Sequence, residues 1–166
     1  NFRRNIEIYH ANIEDEILKR IASSNTDIIG ITCYTPELAE VEKLAVRIKQ
    51  IQPGAKIVVG GVHPTLYPQH FFYDGSPFDF AVVGEGEVTL LDLVHAVRSH
   101  ERPLSSVPGI AYCDKDSNKL VINQQRPIVE NFDDIAFPDY DDLDMDYYTS
   151  ASPYSIRGVF VRSFYV

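Results

Sequence analysis

Cysteine is scarce in this sequence, tryptophan is absent, and no long apolar run occurs. The two cysteines, Cys33 and Cys113, lie in separate apolar stretches and define neither a disulfide framework nor a zinc site. No run reaches the roughly 18 apolar residues of a membrane-spanning helix. The phosphate-loop lysine motif and the G-x-G-x-x-G fingerprint are also missing. We therefore expect a cytosolic protein that belongs to neither of those nucleotide-binding classes.

Basic residues are also in short supply. Lysine and arginine number 15 against 24 aspartates and glutamates, which gives a net charge of −9. A general nucleic-acid-binding protein needs a basic surface to displace counterions, so this composition argues against one. Much of the acidic charge lies in residues 130–146, which we interpret as a linker or extended arm. The chain begins without methionine and without the apolar core of a signal peptide, so we expect it to be part of a longer protein.

Short apolar runs alternate with segments of helical periodicity. The predicted strands occupy residues 6–9, 27–32, 56–59 and 79–83. The run at 27–32 has the composition of a strand that is covered on both faces. Strands that alternate with helices predict a mostly parallel α/β sheet of the doubly wound, flavodoxin-like or Rossmann-like type.

Three helices are predicted between these strands. The first contains Ile13 to Ile21, and the second starts near Pro36, a residue suited to a first helical turn. In the third, Thr89 and Asp92 have the spacing of a capping box. Its predicted apolar stripe consists of Leu90, Leu91, Val94 and Val97. Beyond it, residues 109–112 and 120–122 flank a polar stretch and predict a C-terminal β-hairpin, followed by an extended tail.

Three unusual loops follow the predicted strands: the first rim loop (residues 32–35), the second (60–65) and the third (84–87). Ligands of open parallel sheets bind beyond the carboxyl ends of the strands, where these loops should lie together. Glycines in the loops allow close approach of a ligand to the backbone, although glycines that merely shape tight turns are an equally good explanation for any one loop. The candidate binding residues are Thr32, Tyr34, Thr35, Gly60, Gly61, Val62, His63, Pro64, Gly84, Glu85 and Gly86.

Side chains with acid–base chemistry are few in these loops. His63 could be an axial metal ligand or a proton donor, but a histidine that hydrogen-bonds the loop backbone is the favoured interpretation. Glu85 and Glu87 could form an acid–base pair, but at a helix start they more often complement the helix dipole.

The run IVVGGVHPT at residues 57–65 and the run FDFAVVGEGE at residues 78–87 carry a specific pattern. Together with residues 27–32, 107–111 and 137–140, they resemble the cobalamin-binding domain of radical-SAM proteins. The resemblance covers nearly the whole chain in the right order. It implies that the three rim loops hold the corrin ring and the nucleotide tail of cobalamin.

Proteins of this kind continue into a barrel where three cysteines hold a [4Fe–4S] cluster that binds S-adenosylmethionine. Arg157 and Gly158 match the start of that motif, but the cysteine positions are occupied by Val159, Ser163 and Val166. None of these side chains can supply a thiolate, so a cluster cannot form in the usual way. The family's first strand also has no counterpart here, and the D-x-H-x-x-G motif is absent, so no histidine ligand for cobalt is expected from that loop.

The resemblance implies a cobalamin-binding module of a radical-SAM enzyme that is a methyltransferase when complete, and it implies that this fragment alone is inactive. We expect a cobalamin-binding domain with its hairpin at residues 1–125, an acidic linker at 126–156, and the start of a radical-SAM domain at 157–166. The expected partners are cobalamin and the radical-SAM barrel, and a homo-oligomer could form through the exposed sheet. One alternative is a degenerate scaffold or partner-docking domain that does not bind cobalamin. Another is a small enzyme that uses Glu85 or His63 as an acid or base.

Overall fold

The computed structural model describes residues 14–24, 26–99, 102–114 and 116–129, with isolated positions at 133, 135, 137 and 141. The chain divides into two units, Asn1–Val129 and Glu130–Val166, and every element below belongs to the first. Several sequence predictions fall outside the described residues, namely the strand at 6–9, most of the linker beyond residue 129 and the radical-SAM start at 157–166.

The described strands form one sheet in the order β1-β2-β3-β4-β5. They are β1 (Ile28–Thr32), β2 (Lys56–Gly60), β3 (Phe80–Val82), β4 (Ile110–Asp114) and β5 (Lys119–Ile122). The first three strands pair in parallel, and β4 and β5 extend the sheet as an antiparallel hairpin. The predicted α/β fold and hairpin are confirmed, and the hairpin continues the same sheet.

Four helices connect or flank these strands in the described part of the chain. They are α1 (residues 14–23), α2 (Leu38–Ile51), α3 (Val62–Leu66) and α4 (Glu87–Ser99). Pro36 lies in a 3-10 turn, Thr35–Glu37, directly before α2, where its missing N–H group leaves no helical hydrogen bond unmade. No described helix has the length and apolar content that a bilayer crossing requires.

The sheet has a hydrophobic core on each face, because successive side chains of a strand point to opposite sides. On one face, Ile57 and Val59 of β2 pack in a cluster that includes Leu18 of α1 and Ala45 and Ile48 of α2. On the other face, Val58 of β2 joins a cluster with Leu93 and Ala96 of α4 and with the alternate residues of β3 and β4. Helices therefore cover both faces, as the doubly wound prediction requires.

Three details of the sequence prediction are wrong, two of them in helix α4. Strand β1 is not covered on both faces: it ends the described sheet, and Gly30 and Thr32 are exposed. Helix α4 begins at Glu87, so Thr89 and Asp92 lie inside the helix and form no capping box.

The buried face of α4 also differs from the predicted stripe. Its buried residues are Thr89, Leu93 and Ala96, whereas Leu90 and Leu91 are exposed. The physical reason is that the face toward the sheet is chosen by packing against β3 and β4. Both stripes have helical spacing, so the apolar pattern of α4 did not distinguish them.

Candidate functional site

The three rim loops lie side by side at the carboxyl ends of β1, β2 and β3. The backbone N–H of Cys33 donates to the carbonyl of Gly60 at 2.8 Å, and the N–H of His63 donates to the carbonyl of Cys33 at 3.1 Å. The N–H of Gly84 donates to the hydroxyl of Thr65 at 3.1 Å. These bonds join the first loop to the second and the second to the third, so the loops form one continuous rim.

Gly61 is required by the rim itself. Its φ of +102° is a conformation that L side chains rarely adopt. A Cβ atom at this position would also lie 2.8 Å from the hydroxyl oxygen of Thr32. By contrast, a Cβ on Gly60 would meet only Val82, at an ordinary 4.0 Å. The turn explanation therefore accounts for Gly61, whereas the neighbours of Gly60 do not demand a glycine.

The third rim loop starts a helix and carries the second constrained glycine. Gly84 has a φ of +85°, and Gly86 has no unusual φ. A Cβ on Gly84 would lie 3.5 Å from the Nε2 atom of Gln125. Gln125 thus approaches the third loop closely, although it comes from the segment after the hairpin.

A cavity of about 450 Å³ opens between the second and third rim loops. This volume lies within the range of small-molecule sites, roughly 300–1,000 Å³. Its lining consists of Gly61, Val62, Thr65, Leu66, Gly84, Glu85, Gln125, Arg126 and Ile128. Three of these side chains are apolar yet largely exposed: Val62 by 49%, Leu66 by 60% and Ile128 by 74%. These side chains give the cavity an apolar lining that is open to water.

His63 does not line this cavity. Its side chain is buried, with Nδ1 lying 3.0 Å from the hydroxyl of Thr35 and Nε2 lying 3.2 Å from Nδ1 of His70. The ring of Tyr67 stacks on His70 with the centroids 5.2 Å apart. Burial, and secondarily the nearby His70, lowers the pKa of His63. Both ring nitrogens have side-chain partners, so this arrangement supports loop positioning rather than metal coordination.

Glu85 lines the cavity and has a backbone partner there. Its Oε2 atom accepts a hydrogen bond of 2.9 Å from the N–H of Val129. Glu87 is the first residue of α4, where its charge complements the helix dipole. Because His63 is not among the lining residues, the cavity does not bring it together with Glu85 as an acid–base pair.

The first rim loop lies beyond the second and is not part of the cavity lining. Thr32, Tyr34 and Thr35 are exposed, and the backbone N–H of Tyr34 donates to the Glu37 carboxylate at 3.1 Å. Cys33 between them is buried, and this burial, followed by the charge of Glu37, raises the pKa of its thiol. Pro64 is buried beside His63. Of the predicted residues, Gly61, Val62, Gly84 and Glu85 line the cavity.

Sequence reasoning missed part of the lining. Gln125, Arg126 and Ile128 come from a segment that was assigned to the end of the hairpin and to the linker. Thr65 and Leu66 lie in and after the second rim loop, and Leu66 was not a candidate. The run Pro127-Ile128-Val129 interrupts a polar stretch, and it is the only local sequence signal that an apolar side chain has a role there.

The described residues contain no group of three or more histidine, cysteine, aspartate or glutamate side chains placed to hold a metal ion. The cavity offers apolar side chains, glycine backbone, the hydroxyl of Thr65 and the primary amide of Gln125, together with the charged side chains of Glu85 and Arg126. The two charged groups already have partners within the chain, at the Val129 N–H and at Asp92. The remaining groups are apolar or uncharged, which is compatible with a macrocycle whose metal is held by its own ring nitrogens.

Comparison with known proteins identifies the family. The sequence profile of the B12 binding domain matches residues 2–94. An uncharacterised methyltransferase of Pyrococcus horikoshii is 35% identical over 133 residues, which cover 80% of this chain and 28% of that protein. An anaerobic magnesium-protoporphyrin IX monomethyl ester cyclase of Rubrivivax gelatinosus is 34% identical over 138 residues, covering 81% of this chain and 24% of the cyclase. The chain thus spans about a quarter of the length of these relatives.

A solved structure agrees with these sequence matches. The cobalamin-dependent S-adenosylmethionine radical enzyme OxsB, with aqua-cobalamin and S-adenosylmethionine bound, superimposes with a TM-score of 0.61 at 28% identity. The match covers 69% of this chain and 16% of that one. The profile match spans more than half of the chain, from before the first described helix into α4. This chain therefore belongs to the B12 binding domain family, as its resemblance to the cobalamin-binding domain of radical-SAM proteins predicted.

Proposed function

We propose that this chain binds cobalamin on its rim, with the corrin ring placed over the cavity between the second and third rim loops. The observation that carries the proposal is the exposure of Val62, Leu66 and Ile128 around a cavity next to the backbone of Gly61 and Gly84. Family membership and the cobalamin-bound OxsB structure support the same cofactor.

The contacts can be divided by chemistry. Val62 and Leu66 would contact the ring face, because removing apolar surface from water is favourable by about 25 cal/mol for each Å² that is buried. Gly61 and Gly84 would allow the ring to approach the backbone. Thr32, Tyr34 and Thr35 of the first rim loop, which lie beyond the cavity, would contact the more distant parts of the cofactor. His63 would act as a positioning residue that holds the first and second loops together.

The activity of the whole protein is a second part of the proposal. Cobalamin supplies a cobalt centre that can carry a methyl group, while the protein orients it. A radical-SAM domain would begin at residue 157, but Val159, Ser163 and Val166 replace the cysteines of its motif, so the [4Fe–4S] cluster and S-adenosylmethionine are expected only for an intact member of the family. The Pyrococcus horikoshii relative favours methyl transfer as the reaction.

Compartment and assembly are further expectations. Cys33 and Cys113 are both free thiols, which fits a reducing cytosol. Self-association through the sheet edge stays a prediction that size-exclusion chromatography can test.

Titration with hydroxocobalamin tests the proposal. We expect saturable binding, a corrin absorption spectrum that remains with the protein after desalting, and at least about tenfold weaker binding for Leu66→Glu, since it places a charge against the ring. The matched control is Leu91→Glu, because Leu91 has a similar exposure of 56% but lies on α4 outside the cavity. No binding by the wild type in the high micromolar range would overturn the proposal and favour a scaffold that keeps only the fold.

A further inference from the structure

The segment after the hairpin, residues 123–129, is anchored to the rim rather than leading away from it, and we call it the clasp. Its first residue, Asn123, is held by the segment that precedes β4. The Nδ2 atom of Asn123 donates to the carbonyls of Leu104 and Val107, each at 2.7 Å. The backbone carbonyl of Gln124 accepts from the N–H of Gly109 at 2.9 Å.

The middle and end of the clasp are held by α4 and the third rim loop. The Nε atom of Arg126 donates to the hydroxyl of buried Thr89 at 2.9 Å, and its guanidinium pairs with Asp92. Asp92 also pairs with Arg102 at 3.0 Å, so its carboxylate bridges two arginines. The N–H of Val129 donates a hydrogen bond to the Oε2 atom of Glu85 at 2.9 Å.

These anchors leave two clasp side chains exposed on the cavity. Gln125 and Ile128 both line it, and neither is covered by the rest of the described chain. Ile128 is 74% exposed although Arg126, two residues before it, and Val129, directly after it, are held by part-buried hydrogen bonds. Ile128 is therefore fixed in position but exposed to water, and it lines the same cavity as Val62 and Leu66. A ligand in the cavity would cover this apolar side chain.

We propose that the clasp is the closing wall of the cofactor site, with Ile128 and Gln125 as binding residues. The inference rests on the proposed function and extends it to a segment outside the rim loops. Ile128 packs on the apolar part of the corrin. The primary amide of Gln125, which can both donate and accept, pairs with a carboxamide side chain at the corrin edge.

The rate of cobalamin release tests the clasp. The variants are Ile128→Ser and Gln125→Ala, and their matched controls are Ile122→Ser and Gln124→Ala. Ile122 is an exposed isoleucine at the end of β5, directly before the clasp, and neither control residue lines the cavity. We expect Ile128→Ser to speed release by about tenfold, Gln125→Ala by about threefold, and the controls to release at the wild-type rate.

Hydrogen exchange provides a readout that does not depend on affinity. Cobalamin should slow exchange of the Ile128 and Val129 amides in the wild type, and less so in Ile128→Ser. If the wild type binds cobalamin but both variants release it at the wild-type rate and the clasp amides are unchanged, this inference is overturned and the proposed function stands. If the wild type does not bind cobalamin, both fail.

Discussion

The Nδ1 atom of His63 lies 3.0 Å from the hydroxyl oxygen of Thr35, which joins the second rim loop to the first. On its other side, the Nε2 atom lies 3.2 Å from His70. Because His63 is only 2% exposed, this pair of contacts accounts for its polar atoms without any ligand. His63, the histidine of the GGVHPT run, is therefore a buried side chain that connects the first two rim loops.

The stability of the domain should fall as the pH drops below the ordinary pKa of histidine, about 6.5. Burial and the neighbouring His70 lower the pKa of His63 in the folded state, so the unfolded chain binds more protons in this window. Urea unfolding at a series of pH values from 7.5 to roughly 5 measures the effect. His63→Asn should flatten the pH dependence, whereas the same change at exposed His95 on α4 should leave it in place. An equally steep decline in His63→Asn would rule out this histidine as the cause.

Gly61→Ala should destabilise the fold by about 2–3 kcal/mol, because alanine at a φ of +102° is strained and its Cβ would press on Thr32. Gly60→Ala serves as the control. Its added methyl group meets Val82 at 4.0 Å, so we expect a change of less than about 1 kcal/mol. Thermal or urea unfolding compares the two, and equal losses would show that the strain at position 61 is relieved by a small loop shift.

Asp79→Asn should cost about 3 kcal/mol in the free energy of unfolding, because it leaves two partly buried lysines without their partner. The Asp79 carboxylate accepts from Lys49 at 2.7 Å, from Lys56 at 2.8 Å and from the backbone N–H of Ile57 at 2.9 Å. The exposed Asp74 provides the control, since Asp74→Asn should have almost no effect.

The contribution of Asp79 should also depend on pH. Burial acts to raise the pKa of this carboxyl, but the bonds from Lys49, Lys56 and Ile57 outweigh it, so the pKa is lowered overall. The stabilisation is then present above the unfolded value of about 4 and is lost as the pH falls through the lower folded pKa. The gap between wild type and Asp79→Asn should be constant from pH 7 to about pH 5 and shrink in acid. A gap that persists in acid would point to packing instead of charge.

Asp92→Asn should loosen the clasp and lower stability by about 1–3 kcal/mol, because the paired charges of Arg126 and Arg102 both lose their carboxylate. Exchange of the Val129 amide should become faster. Asp116→Asn in the hairpin turn is the control, as Asp116 is exposed and far from α4 in sequence. Unchanged exchange at Val129 would mean that Glu85 alone holds the end of the clasp.

Several features of this protein were predictable because they depend on neighbours in sequence. Continuous apolar runs at 57–59 and 80–82 predict strands that are buried on both faces, and Gly61 and Gly84 follow them in turns with a positive φ. Parallel strands place their carboxyl ends on one edge, so the common location of the rim loops also followed from local patterns.

Other features needed contacts between residues that are far apart in the chain. Whether α4 buries Thr89 or Leu90 depends on β3 and β4, and whether His63 faces a ligand or Thr35 depends on a loop 28 residues away. The clasp is the clearest case, since Arg126 meets Thr89 across 37 positions and Val129 meets Glu85 across 44. Composition and periodicity indicate which secondary structure a short segment prefers. The hydrogen-bond partner of a buried polar group depends instead on how distant segments pack in three dimensions. Local pattern thus decided the strands, the turns and the edge that carries the site, and long-range packing decided which side chains line it.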